Sequence, residues 1–421
     1  MWLQLINRFR TDPQGELDRL TSQPEVRSAL DFFDVNSAVL QAQFQALRPA
    51  PPLAWNTQLH DSATYYSNLV IENDQQSHTL DEWNILERIQ QFGYDFSRGG
   101  TVAENLFAYS TSAEFGHAAF VIDWGFTPTG LQQPPGHRQS LISPEYREIG
   151  VSSLYDRDTT NDVGPHVITQ HFATDFADGP FLTGVAFQDA DGNAFYSPGE
   201  GISEFQVDVL DSNGRTVATT KGFASGGYSL DVGHLTAADY RIRMYSPSLI
   251  PFETTARLSD TDNVLLDFLN PTPSIDALTA AILEPNPPTW FDLNHDDKID
   301  SNDRNYLIVN LLQTYFGDSN LDGEFNTSDL ITVFQANEYE DSAVGNSTWK
   351  SGDWNGDFEF DTRDLVFVFQ QGGYEAGPRI AAHSVPEPYS AIHTFVLCGI
   401  AILLAAKKRS RQGTVSNVDF R

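Results

Sequence analysis

D-S-N-L-D-G-E-F-N-T-S-D, residues Asp318 to Asp329, is the stretch from which the chain is best read. Two others follow its formula: D-L-N-H-D-D-K-I-D-S-N-D from Asp292 to Asp303, and D-W-N-G-D-F-E-F-D-T-R-D from Asp353 to Asp364. The first offers Asp292, Asn294, Asp296, Asp300 and Asp303 at positions 1, 3, 5, 9 and 12. The second offers Asp318, Asn320, Asp322, Asn326 and Asp329, the third Asp353, Asn355, Asp357, Asp361 and Asp364. Ca²⁺ is a hard cation that takes roughly 6–8 oxygen ligands, and this spacing with a carbonyl at position 7 can wrap one ion. Position 8 is Ile299, Phe325 or Phe360, an apolar plug behind the loop. The sharp turn at position 6 favours Gly, which only the second loop has, at Gly323, so that loop is expected to be the best single site.

Apolar runs follow loops two and three, Leu330 to Gln335 and Leu365 to Gln370, with Tyr339 and Tyr374 at matching places. This is an internal repeat. The EF-hand-like repeats resemble dockerin type I modules, in which a calcium loop with Asp at position 12 leads into a helix. They differ in having three loops instead of two. The resemblance implies a cohesin-like partner.

Upstream, residues 179–270 alternate like short strands, with turns at Ser212-Asn213-Gly214 and Gly226-Gly227, which predicts a small β-sandwich. Asp189-Ala190-Asp191-Gly192-Asn193, Pro198-Gly199-Glu200-Gly201 and Gly227-Tyr228-Ser229 resemble the B-type repeats of bacterial surface adhesins. Asp189, Asp191, Asn193 and Glu200 fall at positions 1, 3, 5 and 12 of a fourth calcium loop. Residues 271–288, with P-T-P and P-N-P-P, read as a semi-stiff linker before repeats spanning 289–380.

Residues 1–178 mix helical and strand periodicity. Helices are predicted over Leu3 to Leu20 (broken near Pro13), Gln58 to Asn73, Trp83 to Phe92 and Ala113 to Trp124, and strands near 149–154 and 166–172. Leu53-Ala54-Trp55-Asn56, Ser77-His78-Thr79, Ala103-Glu104-Asn105-Leu106, Gly136-His137-Arg138, Tyr146 to Val151 and Thr169-Gln170-His171-Phe172 occur in that order. Together they resemble the bacterial branch of the CAP superfamily (SCP; cysteine-rich secretory, antigen 5 and pathogenesis-related proteins). The resemblance implies an α–β–α sandwich with a cleft built from His78 and Glu104, and His137 as a third polar member. Such a set can hold Zn²⁺ or do acid/base work. The family histidine three residues before the final Thr-Gln glutamine is replaced here by Val167. No Ser elbow, His-Glu-x-x-His or phosphate loop occurs in the chain.

At the other end, Val385-Pro386-Glu387-Pro388 precedes an apolar run, 391–406, and the cluster Lys407-Lys408-Arg409. This resembles a PEP-CTERM sorting signal over 385–411. It implies a single membrane-spanning helix, with the C-terminus in the cytoplasm, and cleavage by an exosortase-type processing enzyme. No basic-then-apolar leader follows Met1, so the expected start lies upstream of it.

The net charge of −32 over 421 residues argues against nucleic acid, whose phosphates it would repel. The one cysteine, Cys398, leaves no intrachain disulfide. The expected fold class is multidomain: an α+β head, a small β-sandwich, helix–loop calcium repeats and one C-terminal transmembrane helix. The expected role is that of an exported, surface-sorted protein acting in extracellular binding or matrix assembly. Its partner would be an extracellular polysaccharide, a cell-wall component or a protein. The alternatives are a metal-assisted extracellular hydrolase acting on peptide or cell wall, and a dockerin-like subunit of an extracellular complex.

Overall fold

The computed structural model describes residues 1–176 and 179–379. The expected sorting signal at 385–411 and its span at 391–406 lie outside the described residues. Among the described residues, no helix is long and apolar enough to cross a membrane. The chain divides into two compact units, Met1–Arg304 and Asn305–Arg421.

The first unit opens with α1 (Trp2–Thr11), α2 (Pro13–Ser22), α3 (Pro24–Phe32) and α4 (Ser37–Gln45). The break expected at Pro13 is real: Asp12 caps α2 by accepting from the Gly15 amide at 2.9 Å, and Pro13 takes the first helical position, where its missing N–H costs nothing. Then come β1 (Ala54–Trp55), α5 (Thr57–Glu72), α6 (Ile85–Gln91), β2 (Gly100–Ser110), α7 (Ala113–Ile122), α8 (Gly136–Ile142), β3 (Glu148–Tyr155) and β4 (His166–Asp175).

The four strands form one sheet in the order β1-β3-β4-β2. β1 runs parallel to β3, and the other two pairings are antiparallel. Ile6, Phe9, Phe120, Ile149, Ile168 and Phe172 form the core on one face. Tyr66, Val70, Leu106 and Val167 form a second core beneath α5 on the other. The head is thus the expected α–β–α sandwich.

Gly150 is where α5 meets the sheet most closely. A Cβ there would lie 2.0 Å from the His60 backbone nitrogen. Neither backbone can yield cheaply, so Gly150→Ala is expected to lower head stability by about 1–3 kcal/mol, the usual cost of overpacking. Urea denaturation measures it, and an unchanged midpoint would refute the close approach.

The β module adds β5 (Phe181–Phe187), β6 (Gln206–Leu210), β7 (Thr216–Lys221), β8 (Gly227–Asp231), β9 (Asp239–Tyr245), β10 (Phe252–Arg257), β11 (Val264–Leu265) and β12 (Phe268–Leu269). One sheet has the order β10-β9-β6-β7. In the other, β5 pairs with β8, β11 and β12. Val207, Val209, Tyr228, Ile242 and Phe268 are buried between them. The module is fastened to the head: Asn263 donates to the Pro52 and Arg147 carbonyls at 2.9 and 2.7 Å, and the Trp55 amide donates to Ser229 Oγ at 3.0 Å.

The stretch read as a linker behaves otherwise. Residues 275–282 form α9 (Ile275–Ile282), with Leu278 fully buried. The flanking backbone hydrogen-bonds to the β module, Ile250 to Thr272 and Ser274 to Ser248, both at 2.9 Å. Apolar residues at helical spacing override the prolines on either side.

The second unit begins within α10 (Ser301–Tyr306) and contains α11 (Thr327–Ala336) and α12 (Thr362–Gln371). It is built on a reciprocal clasp. Phe325, the plug of loop two, bridges to Tyr374 beyond α12, and Phe360, the plug of loop three, bridges to Tyr339 beyond α11. The Glu375 amide donates to the Phe325 carbonyl at 2.8 Å, and Glu340 repeats this with Phe360 at 2.9 Å. Fully buried Trp354 packs against both plugs, with centroids 5.8 Å away. Of three loops, then, two form the pair. Loop one, at 292–303, belongs to the first unit.

Candidate functional site

Two polar centres were expected, the head cleft and the acidic loops. In the cleft, β2 and β4 pair so that Glu104 stands opposite His171. Glu104 accepts from His78 Nδ1 at 2.7 Å on one oxygen. On the other it accepts from His171 Nε2 at 2.8 Å and from Arg88 at 2.5 Å. Arg88, its side chain 1 % exposed, also makes two 3.0 Å bonds to Asp81 and lies 3.6 Å from the centroid of Tyr66. His78 and Glu104 meet as expected.

His137 does not join them. Its Nδ1 donates to Asp123 at 2.8 Å, and its carbonyl accepts from Asn105 at 3.1 Å. Asn105 is the residue after Glu104, and successive side chains on a strand point to opposite faces. His137 therefore lies across the sheet from Glu104, and the expected trio is corrected to Glu104 with His78, His171, Arg88 and Asp81. His171 and Arg88 reach Glu104 through strand register and the docking of α6, which motif order does not encode.

Burial alone would raise the Glu104 carboxyl. The hydrogen bonds from His171 and His78, with the Arg88 charge, outweigh it and hold Glu104 at about 2. Burial holds His171 below its ordinary value, so it stays neutral with its proton on Nε2. A carboxylate so held is a weak base at neutral pH. The set also does not fit Zn²⁺: the buried guanidinium already supplies the positive charge that a zinc ion would bring, on the carboxylate that would have to ligate it.

The family model described as the cysteine-rich secretory protein family, CAP, matches residues 3–172. The head is a CAP domain. It contains no cysteine, so the CAP fold rests here on its two cores and its buried ion pairs. No curated protein matches the chain.

Solved structures with likeness to the chain include the following. An outer surface protein of Borrelia burgdorferi is 22 % identical, covering 29 % of this chain and 77 % of its own, with TM-score 0.23. An extracellular protein containing an SCP domain from Bacillus anthracis is 19 % identical, covering 36 % of this chain and 43 % of its own, with TM-score 0.23. The venom allergen-like protein 4 of Schistosoma mansoni is 15 % identical, covering 35 % of this chain and 86 % of its own, with TM-score 0.21.

Outside the CAP domain, the four acidic loops share one backbone plan. In loop two, Asp318 at position 1 accepts from the amides of Asp322 and Gly323, positions 5 and 6, at 3.2 and 2.8 Å. Asp329 at position 12 accepts from Ser319, position 2, at 3.0 Å and from Asn326, position 9, at 2.9 Å. In loop one, Asp303 repeats this with Leu293 and Asp300, both at 2.8 Å. In loop three, Asp364 does so with Trp354 at 2.9 Å and Asp361 at 3.0 Å. In the β-module loop, Glu200 does so with Ala190 at 2.9 Å and Ser197 at 2.6 Å.

Positions 4 and 6 are left-handed in every loop: Gly192 and Ala194, His295 and Asp297, Leu321 and Gly323, Gly356 and Phe358. Position 6 thus turns the same way whether or not it is Gly, and Gly323 does not single out loop two. A bulky residue such as Phe358 holds that conformation only where its surroundings dictate it.

Among the described residues, two groups bring three carboxylates' oxygens within 4.8 Å of one another: Asp189, Asp191 and Glu200, and Asp353, Asp357 and Asp364. Asp303, Asp329 and Asp364 are fully buried. Burial pushes the Asp318 and Asp364 carboxyls up, against the hydrogen bonds they accept. Converging carboxylates, Asp353 and Asp364 among them buried, fit a divalent cation, which would offset their repulsion and the desolvation of the buried ones.

Proposed function

We propose that this protein is an exported, surface-displayed binding protein whose calcium-filled loops stiffen the modules behind a CAP head. One observation carries the reading: four loops, in two different structural settings, close the same way on the carboxylate at position 12, and in two of them three carboxylates converge. Asp189, Asp191, Asn193 and Glu200 would hold one ion, and the five oxygen-bearing positions of each repeat would hold the others. The ion supplies charge compensation and rigidity, and no chemistry is routed through it. Asp at position 12 is shorter than the bidentate Glu of an EF-hand, which suits weak sites filled at the roughly millimolar calcium outside cells. The charge of −32 favours the same setting, because divalent cations relieve the self-repulsion of so acidic a chain.

The partner in this reading is an extracellular polysaccharide, a cell-wall component or a protein. A cohesin-like protein would engage the second unit, and the 385–411 signal would deliver the chain to the surface. Scanning calorimetry tests the scaffold. Millimolar Ca²⁺ should raise the Tm of the full chain and EGTA should reverse the shift, whereas identical traces would reject the reading.

A further inference from the structure

The CAP domain and the β module flank a half-open pocket of about 400 Å³. We infer that it binds one sugar unit of an uncharged glycan. Trp2 and Trp55 line it from the head, and Tyr196 and Phe223 from the β module. None of the residues lining it is Asp, Glu, Lys or Arg, and the Met1 amino group beside it is lowered by burial to about 6, which leaves it mostly neutral at neutral pH. In a chain of net charge −32 that is a pronounced exception, and it argues against ionic ligands and metals.

The polar groups at this cavity are short of partners. Gln4 and Tyr196 are each 7 % exposed, yet neither the Gln4 amide nor the Tyr196 hydroxyl hydrogen-bonds within the described protein. Neither group is sealed from solvent, so a ligand that displaces the water there has to replace its hydrogen bonds. His60 adds a third group. Its Nδ1 lies 2.7 Å from the Val151 carbonyl, which can only accept, so Nδ1 carries the proton and Nε2 is left as an acceptor.

Aromatic faces beside an amide, a phenol and an imidazole acceptor match a pyranose ring, with its apolar face and its rim of hydroxyls. An alkyl chain would satisfy the rings and leave Gln4 and Tyr196 unpaired. A site at a module junction, lined by aromatic and aliphatic residues with a few placed polar groups, has the usual make-up of a small-ligand pocket. The inference deepens the binding role proposed above and rests on it for its setting. Tyr196 is position 8 of the β-module loop, so the two readings share that residue; titration with calcium and with EGTA tells failure of one from failure of the other.

Titrate the full chain, in millimolar Ca²⁺ and again in EGTA, with neutral tetrasaccharides of glucose, mannose and N-acetylglucosamine, following tryptophan fluorescence and heat. The expected result is saturable binding of at least one of them. Tyr196→Phe and Gln4→Leu, which remove polar groups and keep bulk, should each weaken it about tenfold at unchanged Tm. Three results would overturn the inference: no binding up to about 10 mM, which corresponds to less than about 3 kcal/mol of binding free energy; binding indifferent to both substitutions; or tighter binding of dodecanol, or of a uronic-acid tetrasaccharide, than of any neutral sugar. Loss of the calcium-induced Tm shift with sugar binding intact would instead count against the calcium scaffold alone.

Discussion

Arg88→Met is expected to lower the stability of the CAP domain by about 3–5 kcal/mol, the cost of removing one partner from a buried ion pair. The side chains of Arg88, Asp81 and Glu104 are 1 %, 7 % and 6 % exposed, so neither carboxylate can turn to water when the guanidinium is lost. The deficit should also change shape with pH. Glu104 sits at about 2 against an ordinary 4.5. A depressed folded-state value contributes stability that is fully present above 4.5 and lost as pH falls toward 2. That contribution is about 3 kcal/mol, at 1.36 kcal/mol per unit.

Glu16 is held at about 2 as well, by hydrogen bonds from His117 and Arg8 that outweigh its burial. Wild type therefore carries at least two such contributions. Arg88→Met should lose the Arg88 part of the Glu104 share, leave the part held by the His171 and His78 hydrogen bonds, and keep the Glu16 share. Urea midpoints of both proteins across pH 2–5 measure the difference. Parallel curves would mean that Arg88 does not set the Glu104 carboxylate.

The second large effect is expected in the loops. Asp329→Ala and Asp364→Ala each remove a fully buried carboxylate that accepts from backbone amides across its loop. Each buried donor left unpaired costs about 1–3 kcal/mol. The calcium contribution goes with it, about 2.7 kcal/mol at a hundredfold excess over Kd. The reciprocal clasp should spread the damage: loop two is closed by Tyr374 and Glu375 of the next repeat, so loosening one loop frees the other's plug. Scanning calorimetry with and without calcium should therefore show both substitutions lowering the Tm and abolishing most of the calcium shift. Glu324→Gln, at the position that would ligate through its carbonyl, should leave that shift intact. Equal shifts in all three variants would refute the role given to position 12.

Much of the head could be read from the chain, because α1, α5 and α7 carry long apolar stripes and the motif segments fall on their ends and on the strands. Helices α3 and α4 escaped because each buries only two side chains, Val26 with Ala29 and Leu40 with Phe44, too few to show a period. The stretch around Ala103-Glu104-Asn105-Leu106 stood out as a motif, yet the strand carrying it is eleven residues long. The composition of its cleft was hidden for a different reason. His171 meets Glu104 through antiparallel register, and Arg88 through the placement of α6. Neither follows from spacing along the chain. His137 was assigned to the cleft by motif order, and strand alternation puts it across the sheet. In the loops the oxygen-bearing positions were plain. The backbone rule at position 6 was not, because Asp297 and Phe358 adopt the turn that Gly323 advertises.

Calcium stoichiometry is the most direct test of the account. Equilibrium dialysis of the full chain against millimolar ⁴⁵Ca²⁺ should find four bound ions, one for each loop with the shared closure, falling to three in Asp364→Ala. No saturable calcium uptake, or an uptake unchanged by Asp364→Ala, would contradict the calcium-stiffened architecture.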